Sequence, residues 1–216
     1  MEFKNRKPLP TIGVKRYTFF KVKSDDAKGL TYEAPYALKG TVQITPTDSG
    51  GSDSFAADNG IYDLETYVEK IGHDIENADI PPEVDAYWRG LETKNGAVIF
   101  DGSPKTVYFG VAWVLTKTDG THRYVKFLKG GYSFASNLGG KTKPASGASD
   151  KQTAKATYTA VKTDYDGNMY MYIDEEDVKL GSTGEGSFAT IEAFEEAWFS
   201  DMGTLMDDEK ITTVTE

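Results

Sequence analysis

The sequence predicts a mainly β fold flanked by one or two short helices, and three observations carry that prediction. Aromatic residues make up 12% of the 216-residue chain and 13 of them are Tyr, a bias toward the half-buried, pleated surface of a sheet. Apolar residues alternate with period two over several segments, as strands with two distinct faces require. Gly- and Asp-containing turns separate these segments at short intervals. The length suits one domain, taken as residues 1–216.

Val14 to Val22 is rich in β-formers and alternates imperfectly, and Leu38 to Ile44 alternates Leu38, Gly40, Val42 and Ile44 against Lys39, Thr41 and Gln43. Both read as strands. Residues 45–59 contain Pro46, Asp48, Ser49, Gly50, Gly51, Ser52, Asp53 and Ser54, the composition of an exposed, flexible loop. Ile61 to Ile71 fits two templates: Ile61, Leu64, Val68 and Ile71 recur at helical spacing, while Tyr62, Leu64, Thr66 and Val68 alternate. Its Tyr and Thr content favours a strand. After Asp79-Ile80-Pro81, the run Pro82 to Arg89 has Pro and acidic residues at its start and Arg then Gly90 at its end, which predicts a short helix.

The clearest unit is a long hairpin, Thr106 to Thr116 and Thr121 to Phe134, turned at Thr118-Asp119-Gly120. In its first strand Val107, Phe109, Val111, Trp113 and Leu115 face one way and Tyr108, Gly110, Ala112 and Val114 the other. Both faces are apolar, so one should pack on the core and the second on a helix or a neighbouring subunit; an isolated monomer would leave it poorly covered. Residues 137–151 read as a flexible connector, and Thr153 to Thr163 resumes as a strand. Asp164-Tyr165-Asp166-Gly167 predicts a second hairpin turn before Asn168 to Ile173. A late helix opens at Thr190, with Ile191, Phe194, Ala197 and Trp198 as an apolar stripe to lie on a sheet face. Beyond residue 200 a C-terminal arm is expected.

The chain has no Cys, so neither disulfides nor a thiolate nucleophile enter. No run reaches the roughly 18 to 20 apolar residues of a membrane span. The basic run Lys4 to Lys7 and the short Phe19-Phe20 pair do not make a secretory signal. A net charge of -10 opposes tight binding to nucleic acid, which needs cations to displace phosphate counterions.

Candidate chemistry is thin. Gly139-Gly140-Lys141-Thr142 resembles the end of a phosphate loop, but Ala135 stands where the first Gly belongs and Pro144 and Gly147 follow where a helix should. Asp164 to Asn168 alternates oxygen ligands, yet Met169 occupies the place where a calcium loop needs Gly, although Glu175 matches its last ligand; a hairpin turn explains the run better. Asp174-Glu175-Glu176-Asp177 reads as a solvated acidic loop. His73 and His122 show no zinc-ligand spacing and no Gly-x-Ser-x-Gly elbow is present, so no catalytic residue, metal ligand or cofactor site is assigned and the chain is read as non-enzymatic. A pair of carboxylates at glycosidase separation stays open, because spacing in sequence does not reveal it.

Several segments carry a family likeness: Phe109-Gly110-Val111, Lys117 to Val125, and Lys129-Gly130-Gly131-Tyr132-Ser133-Phe134. Further on stand Lys141-Thr142-Lys143 and Gln152-Thr153-Ala154; upstream lie Phe55-Ala56-Ala57-Asp58-Asn59 and Ile75 to Pro81 before the helix. Over about residues 55–163 this pattern resembles the major tail proteins of long-tailed, non-contractile bacteriophages. The resemblance implies a β-sandwich or incomplete barrel of antiparallel strands, assembled as hexameric rings stacked into a tube for DNA ejection. Its implied partners are further copies of itself, a tape-measure protein, a tail terminator and a distal tail protein, with DNA passing through the lumen without specific binding. The implied location is the virion tail, after assembly in the host cytoplasm. Asp48, Asp53, Trp113, Lys141, Lys143 and Trp198 are the expected subunit-contact residues. A secreted carbohydrate-binding β-sandwich is the alternative, since Tyr and Trp on a sheet can stack on sugars.

Overall fold

The computed structural model describes residues 6–103, 105–133, 138–143, 146–147, 151–181, 187–206 and 211–213. The chain is mainly β, 52% strand against 11% helix, with a large mixed sheet, two small sheets and two short helices. The strands are β1 Thr11–Asp26, β2 Gly29–Tyr32, β3 Tyr36–Leu38, β4 Thr41–Pro46, β5 Ser49–Ala57, β6 Gly60–Lys70 and β7 Gly72–Asn77. Helix α1, Pro82–Arg89, precedes β8 Glu92–Lys94, β9 Ala97–Ile99, β10 Phe109–Lys117, β11 His122–Tyr132, β12 Ala154–Ala160 and β13 Tyr170–Asp174. A single 3-10 turn at Glu175–Asp177, helix α2 Ile191–Ser200 and β14 Ile211–Thr213 complete the order.

The chain forms two compact units. The first comprises residues up to 39, Gly110–Leu128 and residues from Thr163 on; the second comprises Gly40–Phe109 and Lys129–Lys162. The chain crosses between them inside β10 and inside β11.

In the first unit the strand order is β14-β2-β1-β10-β11, with β3 also on β1 and β13 on β11. β1 pairs antiparallel with β2 and β3, and β13 antiparallel with β11, while β14 joins β2 in parallel. This parallel strand makes the sheet mixed, where antiparallel pairing alone was expected. It also gives part of the expected C-terminal arm a place beside β2.

Helix α2 begins as its sequence predicts: the Thr190 hydroxyl accepts from the Ala193 backbone N–H at 3.2 Å, satisfying one of the helix's unpaired donors. Phe194 and Trp198 then face Phe20, Tyr32, Ala112, Val114 and Tyr124 in one core. The Tyr124 ring meets Phe194 edge-on at 4.9 Å and Trp198 at 6.0 Å, the geometry aromatic quadrupoles favour. On the opposite face of β10 Trp113 is buried, flanked by Tyr17 of β1 at 6.1 Å and Phe127 of β11 at 5.4 Å. Phe109 to Val114 are all buried. The expectation that a lone chain leaves one face of this strand bare is therefore corrected: α2 covers one face, and the side chains of the other are buried as well.

The second unit pairs β12 antiparallel with the far end of β11, Gly130 to Tyr132, and with β7, and β7 antiparallel with β4. Helix α1 carries Glu83 and Asp85 in its first turn and Arg89 in its last, in accord with the helix dipole. It ends at Gly90, whose φ of 61° is the left-handed cap that glycine adopts without cost. Trp88 is buried and lies flat on Tyr132 with ring centroids 3.9 Å apart.

Three further sequence expectations differ from the structure. Leu38 to Ile44 is two strands, divided where Gly40 takes a φ of 86° and its carbonyl accepts from Ala78 N–H. Residues 45–59 are largely strand, since β5 occupies Ser49–Ala57. Asp164 to Gly167 is a turn, but β12 and β13 do not pair with each other: β13 pairs with Arg123 to Phe127 of β11, and β12 with β11 farther along. The described residues close no barrel.

A candidate assembly surface

β5 and β6 form a two-stranded sheet of their own. The register runs from Ser49 opposite Lys70 to Ala57 opposite Gly60. Asp58 and Asn59 turn it with φ of 50° and 64°, the left-handed pair that a tight hairpin turn requires and that Asp and Asn tolerate. The Gly- and Ser-rich composition of β5 hides its strand character, because it has few β-formers of its own; β6, with Ile61, Tyr62, Thr66, Tyr67 and Val68, templates it.

Every described side chain from Asp48 to Glu69 is exposed, so neither face of this hairpin rests on the described remainder of the chain. Directly opposed residues share a face. One face pairs Ser52 with Thr66, Ser54 with Leu64 and Gly50 with Val68, and carries no charge. The other pairs Asp53 with Glu65, Phe55 with Asp63 and Gly51 with Tyr67. Asp53 and Glu65 are like charges directly across a ladder, an arrangement that weakens the hairpin in isolation. Phe55 is 65% exposed, Ile61 73%, Tyr62 76% and Val68 68%, an apolar load that a two-stranded ribbon in water does not sustain well without cover.

The hairpin is tied at its base, where Asp48 Oδ1 accepts from Gly72 N–H at 3.2 Å and Thr47 N–H donates to the Gly72 carbonyl at 3.0 Å. Beside it, β4 is terminal in the strand order and exposes Val42, leaving an edge of the kind that invites another strand. The second unit also holds a cavity of about 150 Å³, lined among others by Trp88, Arg89, Phe100, Lys105, Val107 and Tyr132.

The six expected contact residues divide. Asp48, Asp53, Lys141 and Lys143 are exposed. The Lys141 backbone is fastened to Gln152, whose side-chain amide accepts from its N–H at 2.8 Å and donates to its carbonyl at 3.1 Å. Trp113 and Trp198 are core residues of the first unit, 5% and 0% exposed, and present no ring to a neighbour. Of the connector at 137–151, residues 138–143 carry no regular structure, so no helix follows Lys141 directly; residues 137, 144–145 and 148–150 lie outside the described residues.

The polar candidates are engaged within the chain. Glu175 accepts from His122 N–H at 3.0 Å and meets the His122 ring Nδ1 at 2.7 Å. Asp166 accepts from Asn168 N–H at 3.0 Å and Nδ2 at 2.7 Å inside its own turn. Asp174 accepts from Arg123 Nε at 2.6 Å and Nη2 at 2.9 Å and lies 3.1 Å from Lys117, and these partners hold its carboxyl below the usual range. His73 is buried against the Tyr158 ring at 4.9 Å, and burial pushes its imidazole down to about 3. Among the described residues no three His, Cys, Asp or Glu side chains gather as a metal site would require.

Lys126 is a residue that sequence reading does not single out. It lies fully buried, its Nζ donating to the carbonyls of Asp201 at 3.0 Å and Met202 at 3.3 Å and standing 4.1 Å over the Trp198 ring. Both carbonyls belong to the segment that follows α2, so the amine ties that segment to β11. The signal available in the sequence was a lysine between Val125 and Phe127 on an otherwise apolar stretch of strand.

No helix among the described residues is long and apolar enough to cross a membrane. The fold and surface together define a mainly β chain whose one large uncovered element, among the described residues, is a hairpin. No protein-family model matches the chain, and no curated protein matches it.

Proposed function

We propose that this chain is a structural, non-enzymatic subunit that polymerises with copies of itself, as the major tail protein of a long-tailed phage does. In this reading rings of six stack into a tube that conducts DNA out of the capsid, and the tube's ends meet tape-measure, terminator and distal tail proteins. The single observation that carries the reading is the β5–β6 hairpin, exposed on both faces while holding Phe55, Ile61, Tyr62, Leu64, Tyr67 and Val68. Such an element is stable when another chain covers it, and assembly supplies that chain.

Two further features support the reading. The β10–β11 hairpin contains the segments that resemble the tail-protein family, and it runs through both compact units. The net charge of -10 suits a conduit through which phosphates slide without adhering. Assembly would take place in the host cytoplasm and the product would reside in the virion tail.

A second reading has its own observation. Tyr170 and Tyr172 stack with centroids 6.3 Å apart and 12° between planes, 45% and 60% exposed, a platform on which a sugar ring could rest. Negative-stain electron microscopy of concentrated protein separates the two. Tubes of regular bore support the subunit reading. Particles that remain single chains at millimolar concentration, and whose Tyr fluorescence responds to added oligosaccharide, overturn it in favour of glycan binding.

A further inference from the structure

We propose that residues 6–10 form a strap latched to the 3-10 turn Glu175–Asp177 by an ion-pair clasp, and that rising salt opens the strap while the first unit stays folded. The clasp lies wholly within that unit, so it holds whether or not the chain polymerises.

The run Asp174 to Asp177, expected as a solvated acidic loop, is a charge hub on which three segments converge. Arg6 comes from the segment before β1: its Nη1 donates to Asp177 Oδ2 at 2.6 Å, its Nη2 donates to Oδ1, and its Nε lies 3.3 Å from Glu176 Oε2. Lys117 at the end of β10 and Arg123 near the start of β11 share Asp174, and His122 meets Glu175. The carboxylates therefore divide their work: Glu176 and Asp177 hold the strap, while Asp174 and Glu175 hold the β10–β11 hairpin. Neutralising Asp177 should free the strap and leave the hairpin's anchors in place.

The local sequence explains why a side-chain latch is needed. Lys7-Pro8-Leu9-Pro10 places Pro at alternate positions, whose backbone nitrogens would point to the same side of a strand, and neither carries a hydrogen. Such a segment cannot extend the ladder of β1, which begins at Thr11. Its backbone tie among the described residues is the Pro10 carbonyl, which accepts from Thr118 N–H at 3.0 Å. Lys7, Pro8 and Pro10 are exposed and Leu9 is half-buried, so apolar burial adds little. Exposure also makes the clasp responsive to salt: the Arg6, Glu176 and Asp177 side chains are 30%, 42% and 33% exposed, and ions reach all three. The screening length shrinks from about 10 Å at 0.1 M salt to about 3 Å at 1 M, which weakens exposed pairs and spares buried packing. A lone exposed pair shifts an equilibrium by a factor of about five at most, and the forked Arg–carboxylate geometry with a second carboxylate beside it raises this to about ten.

The chain has no Cys, so nitroxide labels at Lys7→Cys and Lys179→Cys, both exposed and outside the clasp, report the strap directly. The labelled chain is diluted into excess unlabelled chain, so that pulsed electron resonance reads distances within one copy, and urea unfolding of each variant reports the state of the unit. At low salt one short, narrow distance is expected. At high salt, and at low salt in Arg6→Gln or Asp177→Asn, a longer and broader population should grow roughly fivefold to tenfold, with the urea midpoint of each variant matching that of the parent at the same salt. Arg6→Lys, which keeps the charge and loses the fork, should lie between. Asp174→Asn should instead lower the urea midpoint, since it removes the partner that Lys117 and Arg123 share. A broad distribution at low salt in the parent, a short distance indifferent to both Arg6→Gln and salt, or a long distance that appears only where the urea midpoint falls overturns the clasp.

Discussion

Replacing Lys126 by Met tests the energetic reading of the first unit's core most sharply. The amine is fully buried, and burial pulls it down from 10.5 to about 7, with Asp201 opposing weakly. Between those values the unfolded chain binds a proton that the folded chain does not. Stability is therefore lost as pH falls from about 10.5 to about 7 and is level in this group below that. The slope is about 1.4 kcal/mol per pH unit, so the wild-type protein should gain about 2–3 kcal/mol between pH 7.5 and pH 9.5 from this residue alone. Tyr32 and Tyr124 set the upper limit of the window. Burial raises both well above the usual tyrosine range, so they resist ionising when folded and lower stability once pH passes about 10, the range in which unfolded tyrosines ionise.

Lys126→Met removes the titration and keeps an unbranched apolar stem of similar reach. It also removes the donor to the Asp201 and Met202 carbonyls, although Asp201 retains the Thr204 hydroxyl at 3.0 Å. Urea unfolding of both proteins at pH 7.5, 8.5 and 9.5 reads the difference directly. The variant's stability relative to wild type should fall by about 2–3 kcal/mol over that range, whatever its absolute offset. Parallel pH profiles would refute the buried-amine reasoning.

Three further outcomes are expected. Trp88→Ala should destabilise the second unit by about 3–5 kcal/mol, because the ring is 1% exposed and stacked on Tyr132; thermal unfolding followed by near-ultraviolet circular dichroism checks it. Gly130→Ala should cost about 1–3 kcal/mol or prevent folding, since its methyl would lie 2.4 Å from both the Thr159 carbonyl oxygen and the Tyr158 ring; soluble yield and urea midpoint report it. Thr190→Ala should cost about 1 kcal/mol through loss of the α2 cap, and Thr190→Ser should restore most of it in the same urea assay.

Where local chemistry was sufficient, the sequence was readable. Pro82, the acidic first turn, Arg89 and Gly90 specify α1 without outside help, and Thr190 with its apolar stripe specifies α2. Lys117 to Thr121 turns as its Asp119-Gly120 pair demands, with Gly120 at a φ of 88°. β5 was not readable, because Ser, Gly and Asp favour loops and only pairing with β6 makes them a strand. The same reasoning explains the tryptophans. Trp113 and Trp198 were expected at a subunit contact alongside the family resemblance, and both are instead buried in the first unit, Trp113 flanked by Tyr17 of β1 and Trp198 packed from α2 against Tyr124.

The sequence alone therefore determined the β class, the two helices and the principal turns, since these depend on residues within a few positions of one another. Tertiary structure decided which apolar faces the chain covers itself and which it leaves open. Strand partners far apart in sequence set that division: β14 on β2, β13 on one stretch of β11 and β12 on another, none of which periodicity encodes. It also placed Phe55, Asp53, Asp63 and Glu65 on one exposed face, a grouping that exists only once β5 and β6 are in register.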